Sequence, residues 1–237
     1  LWKTKHLDSL SLREQVGSTL DMAFLNQAFE VRKLFLSGNL LTSFDPVVDF
    51  LNLQYLEIAN CGLANLPADM GVLMRNLRVV NANLNAIKDL KPLIGMGRLK
   101  RLSVAGNRLQ RLRRTASVLS YFPTLSQLDL RDNPLTVGFY FNITSTNLVV
   151  HKSLEKQANK EEGEEPEPFM LRNLDASQDA KYHARLDMGT KLRRRAYEML
   201  LLNGNRRLKK LDGLDVDREV LVKQDSVWAE MLKLGLV

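Results

Sequence analysis

The sequence predicts an α/β solenoid, because one short apolar pattern recurs five times between Val31 and Leu135. Successive copies begin 22, 24, 22 and 26 residues apart, and a repeat of this length indicates stacked units that share one continuous core. Further apolar residues recur three positions before and three positions after most copies. Together these observations predict one curved parallel sheet, with a degenerate repeat at its N-terminal end and a repeat cap at its C-terminal end.

The pattern reads L-x-x-L-x-L-x-x-N-x-L, which is that of the leucine-rich repeat. Its L-x-L centre predicts a short strand whose alternate side chains point into the core. The predicted strands are Lys33–Leu36, Tyr55–Ile58, Val79–Ala82, Arg101–Val104 and Gln127–Leu130.

The ninth position of the pattern is predicted to satisfy backbone groups at the turn that follows each strand. The turn residues are Asn39, Cys61, Asn85, Asn107 and Asn133, with Asp212 in the cap. Cys61 is a small residue with a weak S–H donor, so it can replace an asparagine there and needs no redox role.

Both ends of a stack of repeats need a cover. Leu7, Leu10 and Leu12 fit a degenerate first repeat. At the other end, a predicted helix over Thr190–Asn203 leads to the tripeptide Leu211-Asp212-Gly213, and this arrangement resembles the cap motif of leucine-rich repeats. The glycine can supply the positive φ that such a turn requires.

The chain is predicted to form one continuous domain in three parts. Residues 1–138 are the repeats, 139–189 an acidic and partly disordered insertion, and 190–237 the cap with a final helix near Asp225–Leu234 that packs over the last repeat. The centre of the insertion, Lys160–Pro168, is acidic and lacks apolar residues, which is typical of mobile surface chain. A helix near Ser177–Asp187 is predicted to follow, with Ser177 as its N-cap.

The outward-facing side chains of the strands are predicted to form a concave partner-binding face, the usual recognition surface of a solenoid. Its candidate residues occupy the third, fifth and seventh positions of the pattern. They are Lys33, Phe35, Tyr55, Glu57, Val79, Asn81, Arg101, Ser103, Gln127, Asp129 and Arg131. Phe35, Tyr55 and Val79 would form an exposed apolar strip, which marks a contact site, unless the N-terminal segment or a loop covers them.

The positive charge of the chain is unevenly placed. The net charge is +7 at pH 7, and no acidic residue interrupts a run of basic ones between Leu90 and Leu128. The candidate basic surface comprises Arg98, Lys100, Arg108, Arg111, Arg113 and Arg114. Such a field favours acidic or phosphorylated partners, or nucleic acid. It is equally compatible with a plain solvated face, or with one that the acidic insertion of the same chain masks.

The sequence gives no sign of catalysis, and we predict that the chain is not an enzyme. It has no Gly-rich phosphate loop, and its three histidines lie far in sequence from the lone cysteine. We therefore predict no metal site and no cofactor. No apolar run approaches the ~18 residues of a membrane helix, so no membrane association is expected, and the single cysteine excludes disulfide-closed caps within the chain.

Several segments beyond the repeats carry a family resemblance. They are the stretch Asn133–Tyr140, the long insertion, Leu192–Leu200 before Leu-Asp-Gly, and the tail Val227–Gly235. Through them the chain resembles the leucine-rich-repeat domain of the fungal spindle-pole-body scaffold of the septation initiation and mitotic exit networks, a relative of animal centriolin.

This resemblance implies a protein-binding scaffold located at the spindle pole body, part of the microtubule organising centre and cytoskeleton. Its expected partners are a coiled-coil anchor and the proteins of a small-GTPase regulatory complex or its downstream kinase. Two other functions remain open: a nuclear capped-repeat adaptor that binds nucleic acid or ribonucleoprotein, and a phosphatase-regulatory repeat subunit. Against nucleic acid, no set of aromatic residues interleaves with the basic run.

Overall fold

In the described part of this computed structural model, eight short strands lie side by side in the order in which they occur in the sequence. The structure describes residues 8–13, 30–41, 44, 49–141 and 173–217. The strands are β1 (Ser9–Ser11), β2 (Lys33–Phe35), β3 (Tyr55–Glu57), β4 (Val79–Asn81), β5 (Arg101–Ser103), β6 (Gln127–Asp129), β7 (Lys210–Leu211) and β8 (Leu214–Asp215). β1 to β7 pair in parallel, and β8 turns back antiparallel onto β7.

This arrangement confirms the predicted leucine-rich-repeat solenoid, whose sheet is open. All five predicted strands are present, each one residue shorter at its C-terminal end, and β1 confirms the degenerate first repeat. The register places the central apolar residue of each repeat in one buried row: Leu34, Leu56, Val80, Leu102 and Leu128. The core is therefore a stack of equivalent layers, as the period predicts.

Short helical segments form the opposite side of the solenoid. Within the described residues these are α1 (Met70–Leu73), a 3₁₀ turn at Lys91–Leu93, α2 (Leu112–Leu119) and a 3₁₀ turn at Pro134–Thr136. Neighbouring repeats approach closely there: a Cβ at Gly71 would lie 1.9 Å from the carbonyl oxygen of Ile94. Only glycine fits this backbone-to-backbone contact.

The asparagines at the turn positions form a ladder of hydrogen bonds from one repeat to the next. The amide nitrogen of Asn107 donates to the carbonyls of Ala82 and Val104, 2.9 Å away in each case, and its oxygen accepts from the Ile87 N–H at 3.0 Å. Asn85 and Asn133 make the same kinds of bond, each to its own repeat and to the preceding one. The ladder therefore ties successive repeats together.

Cys61 replaces an asparagine in this ladder as predicted. Its thiol is buried and lies 3.4 Å from the carbonyl oxygens of Leu36 and Ala59, to both of which it can donate. Burial raises the pKa of the thiol to about 11, so it stays protonated at neutral pH and is a poor nucleophile.

Replacing Asn107 by alanine should lower the free energy of unfolding by about 1–3 kcal/mol, because buried carbonyl and amide groups lose their partner. Urea unfolding of the variant beside the wild-type chain measures the difference. Alanine at the neighbouring exposed residue Gln110 is the control and should change stability by less than about 0.5 kcal/mol. An Asn107 variant as stable as this control would refute a stabilising role for the ladder.

Two helices and the β7–β8 hairpin close the C-terminal end. α3 (Ala176–Arg185) precedes α4 (Met188–Gly204), which begins two residues before the predicted cap helix and ends one residue after it. The N-cap of α3 is Asp175, whose carboxylate accepts from the Ser177 and Gln178 N–H groups. The prediction of Ser177 as the N-cap was therefore wrong, because a carboxylate two residues earlier reaches both free donors.

The segment that follows the last repeat belongs to the core. Phe139 and Tyr140 are buried, and the Phe139 ring lies 5.5 Å from that of Tyr197 in α4. An ion pair between Asp179 and Arg194 joins α3 to α4 at 2.6 Å. The division at residues 138 and 189 stays a prediction, while the acidic centre of the insertion and the helix near Asp225–Leu234 lie outside the described residues.

Candidate protein-interaction face

The parallel register brings the candidate residues together on one face of the sheet. The third-position row is Lys33, Tyr55, Val79, Arg101 and Gln127, and the fifth-position row is Phe35, Glu57, Asn81, Ser103 and Asp129. In the third-position row Lys33 is exposed and the other four are half-buried. In the fifth-position row only Asp129 keeps partial exposure.

Phe35 does not present an exposed apolar surface. Only 6% of it is exposed, because the guanidinium of Arg13 lies over its ring, 4.3 Å from the centroid, and the ring of Tyr55 packs beside it at 4.9 Å. The prediction of an exposed strip was therefore wrong at this residue, and the alternative that the N-terminal segment covers it is confirmed. Tyr55 and Val79 remain half-buried members of the face.

Glu57 and Arg13 form a two-pronged ion pair across the face. The Nε and Nη2 atoms of Arg13 donate to the two carboxylate oxygens of Glu57 at 2.7 and 2.8 Å, and the Glu57 side chain is fully buried. A carboxylate in such a site is stable only when it is paired and hydrogen-bonded. Glu57 therefore acts as an internal anchor for the first repeat rather than as a free acidic contact.

Arg131 is likewise buried in an intramolecular ion pair. It is 1% exposed, and its Nε and Nη2 donate to the carboxylate of Asp129 at 2.9 and 2.5 Å. Arg131 was a candidate for the concave partner-binding face, but its burial leaves no surface for a contact. Arg101 retains partial exposure, although its Nε donates to Gln127 Oε1 at 2.6 Å.

The cap contains a buried polar cluster around Asp212. One carboxylate oxygen accepts from the Leu130 N–H at 2.7 Å, and the other accepts from the hydroxyls of Tyr140 and Tyr197 at 2.6 Å each. Burial, and then the nearby charge of Asp129, raise the pKa of Asp212 to about 6. Burial, followed by the Asp212 charge, raises the pKa of both tyrosines, so they remain hydrogen-bond donors.

The fold divides the predicted basic surface between two places. Arg98 and Lys100 lie at the N-terminal edge of the sheet, where the strands begin, and both are exposed. Arg108, Arg111, Arg113 and Arg114 follow the turn after β5 and enter α2, on the other side of the repeat. Arg114 forms an ion pair with Asp89 there.

An open groove lies at the N-terminal edge of the sheet, with a volume of about 790 Å³. Its basic lining consists of Lys100, Arg206, Arg207 and Lys209. Asp215 and Asp217 line it as well, so its surface carries both signs of charge.

Among the described residues, no three His, Cys, Asp or Glu side chains are grouped so that they could hold a metal ion. Within the same part of the chain, no helix combines the length and apolar character needed to cross a membrane.

Comparison with curated proteins gives one alignment that extends over nearly the whole chain. The chain is 28% identical over 222 residues to the septation initiation network scaffold protein cdc11 of Schizosaccharomyces pombe. The predicted resemblance is confirmed. The alignment covers 91% of this chain and 21% of cdc11, so the chain spans about a fifth of the length of that scaffold. No family model matches the chain.

Other similarities are shorter or more distant. The alpha subunit of geranylgeranyl transferase type-2 from Sus scrofa is 36% identical over 106 residues, which are 45% of this chain and 18% of that subunit. A structural comparison pairs the chain with a chain in the crystal structure of the Drosophila melanogaster SNF/U2A' complex, with a TM-score of 0.43 and 15% identity, covering 95% of this chain and 87% of that one.

Arg13 belongs to this face and is absent from the residues predicted from the sequence. Since Ser9 and Ser11 pair with Lys33 and Phe35, Arg13 occupies the seventh position of the degenerate first repeat, as Arg131 does in the last. Counting the third, fifth and seventh positions in the degenerate first repeat as well would have identified Arg13.

Proposed function

We propose that the chain is a non-catalytic protein-interaction domain of a scaffold at the spindle pole body. The observation that carries this proposal is the similarity to cdc11 along 91% of the chain. The structure supports it with a sheet of parallel strands, of the kind that solenoids use for recognition. The scaffold would dock components of the small-GTPase and kinase pathway that controls mitotic exit and septation.

The third-position row is the best candidate for the contact with a partner. Tyr55, Val79 and Arg101 are neighbours in register and keep part of their surface exposed. Tyrosine and arginine are enriched at the centre of interfaces, and Val79 lies between these two residues in the row. Glu57 and Arg131 would act beneath them as internal supports, because both are buried in ion pairs.

A chimera tests the proposed location. The matching segment of cdc11 is replaced by this chain in fission yeast, with a fluorescent tag, and we expect the chimera to gather at spindle poles and to support septation. A Gly71→Leu variant is the unfolded control, since its side chain would collide with the backbone at Ile94. A chimera that is folded and abundant, but evenly spread through the cell, would refute the proposal.

A Tyr55→Ala/Val79→Ala variant of the same chimera tests the face. If these residues are the main anchors of the contact, truncating them should cost about 2 kcal/mol or more, roughly thirtyfold in affinity, so the signal at the poles should fall strongly. The matched control is Val72→Ala/Tyr121→Ala, which truncates two exposed apolar residues outside the sheet. Equal signals for the two variants, with equal melting temperatures, would place the contact elsewhere.

A further inference from the structure

A row of basic residues runs along the N-terminal edge of the sheet. The residues at the second position of successive repeats are joined by backbone hydrogen bonds of 2.8 Å. In each bond, the N–H of one residue donates to the carbonyl of the corresponding residue in the preceding repeat. In order, the row is Arg32, Gln54, Arg78, Lys100, Ser126 and Lys209. Its four basic members are all exposed. Arg32 forms an ion pair with Asp8, whose carboxylate lies 3.6 Å from its Nε, so we take the basic edge to begin at Arg78.

The turns that lead into these strands add charge of the same sign. Arg75, Arg98, Arg206 and Arg207 lie within three residues of the row and are exposed. These residues precede β4, β5 and β7, and only the stacking of the repeats places them on one edge. The last two join Lys100 and Lys209 in lining the groove of about 790 Å³.

The cations of this groove are not used to hold the described fold together. Within the part of the chain that the structure describes, Lys100, Arg206, Arg207 and Lys209 form no ion pair. The hydroxyls of Thr124 and Ser126, which also line it, donate to backbone carbonyls at 2.8 and 3.1 Å. Recognition in the groove would therefore rest on its charged groups.

We propose that the N-terminal edge between Arg78 and Lys209 is a docking site for an extended acidic segment of a partner protein. This inference rests on the proposed function as a protein-interaction domain. The row between these two residues crosses three strand intervals, roughly 14 Å, which about four extended residues span. Carboxylates on such a segment would face successive rungs and form charge-assisted hydrogen bonds with the lysines and arginines.

The lining of the groove favours a protein segment over nucleic acid. Asp215 and Asp217 line it beside the cations. A continuous phosphodiester chain would be repelled there, whereas a peptide can place a lysine opposite them. The residues that line the groove include no aromatic side chain on which a base could stack.

Two variants of the full chain with equal loss of charge test the site. One is Lys100→Ala/Arg207→Ala/Lys209→Ala at the edge, and the other is Arg108→Ala/Arg111→Ala/Arg113→Ala on the far side of the repeats. The probes are a fluorescent oligoglutamate peptide that ends in a pair of lysines, and a fluorescent oligouridylate of similar charge. Fluorescence anisotropy measures binding of each probe, at low and at physiological salt, and circular dichroism checks the fold.

The peptide should bind the unmodified chain, and the edge variant should weaken binding about tenfold or more, which is 1.4 kcal/mol, while the far-side variant changes it less than about threefold. Equal weakening by both variants would mean that only the overall field attracts the peptide, and would overturn the proposal. So would tighter binding of oligouridylate at the same edge, or no binding of the peptide.

If any of these occurs while the chimera still reaches the spindle poles, this inference fails and the proposed function stands. If the peptide binds as expected but the chimera does not localise, the docking site stands and the proposed function fails.

Discussion

Replacing Arg13 by alanine should lower the free energy of unfolding by about 3–5 kcal/mol, the usual cost of leaving a buried charge without its partner. The Glu57 side chain is fully buried, and Arg13 donates to both of its carboxylate oxygens. The same substitution removes the guanidinium that lies over the Phe35 ring. The residue belongs to the first repeat, so its loss should loosen the N-terminal end of the sheet first. Urea unfolding gives the free energy, and amide hydrogen exchange locates the change.

A double substitution separates the charge from the packing. Arg13→Met/Glu57→Met removes both ions and keeps apolar volume, so it should recover most of the stability that Arg13→Ala loses. Arg32→Ala is the matched control, because its ion pair with Asp8 is exposed and is worth less than about 1 kcal/mol. If Arg13→Ala and Arg32→Ala proved equally mild, the pair with Glu57 would not hold the first repeat in place.

The repeats could be predicted from the sequence because their signal is periodic. Each strand and each ladder residue follows from an offset of a few positions within one repeat, and Asn107 shows the predicted bonds in full. The length and end of α4 were also close to the prediction, since a run of helix formers ends at Gly204. The repeat pattern is enough to predict a residue's structure where the repeat length determines which residues lie next to it.

The state of the face could not be predicted in the same way. Glu57 and Phe35 occupy outward-facing positions, and a count of positions alone makes them exposed. Their burial depends on Arg13, which is 44 residues away from Glu57 in sequence. Arg131 is a different case, because it pairs with Asp129 of its own repeat and also lies near the carboxylate of Asp212 in the cap. The pattern of a single repeat does not predict which side chains pair between different repeats.

The basic residues show the opposite effect. A run that is continuous in sequence is divided by the fold, and residues from separate runs are joined. Arg78 and Lys209 belong to one edge only because a chain of backbone hydrogen bonds links their strands. Charge clusters in a solenoid are therefore better counted along one repeat position than along the chain.

Replacing Asp212 by alanine should destabilise the chain by more than about 3 kcal/mol, because three buried donors lose their common acceptor and each costs about 1–3 kcal/mol. These donors are the Leu130 N–H and the hydroxyls of Tyr140 and Tyr197. Asp212 also has a φ of 55°, which alanine tolerates less well than aspartate or asparagine. Urea unfolding measures the loss. A Tyr140→Phe/Tyr197→Phe variant removes two of the donors together, and alanine at residue 212 on that background should cost much less.

Asp212→Asn should instead change how stability depends on pH. The folded pKa of Asp212 is raised from 3.8 to about 6, chiefly by burial, so the folded state holds this proton more tightly than the unfolded state does. The resulting stabilisation is fully present below pH 3.8 and is lost as the pH rises through about 6, by about 1.4 kcal/mol for each unit of difference in pKa. The asparagine variant does not titrate, and its oxygen can still accept from Leu130. Relative to the wild type, it should therefore gain stability between about pH 4 and pH 6.

Asp215→Asn, whose side chain is 85% exposed, is the control and should leave the wild-type slope unchanged. Parallel pH profiles for wild type and Asp212→Asn would show that the Asp212 carboxyl is already ionised in the folded chain at pH 4.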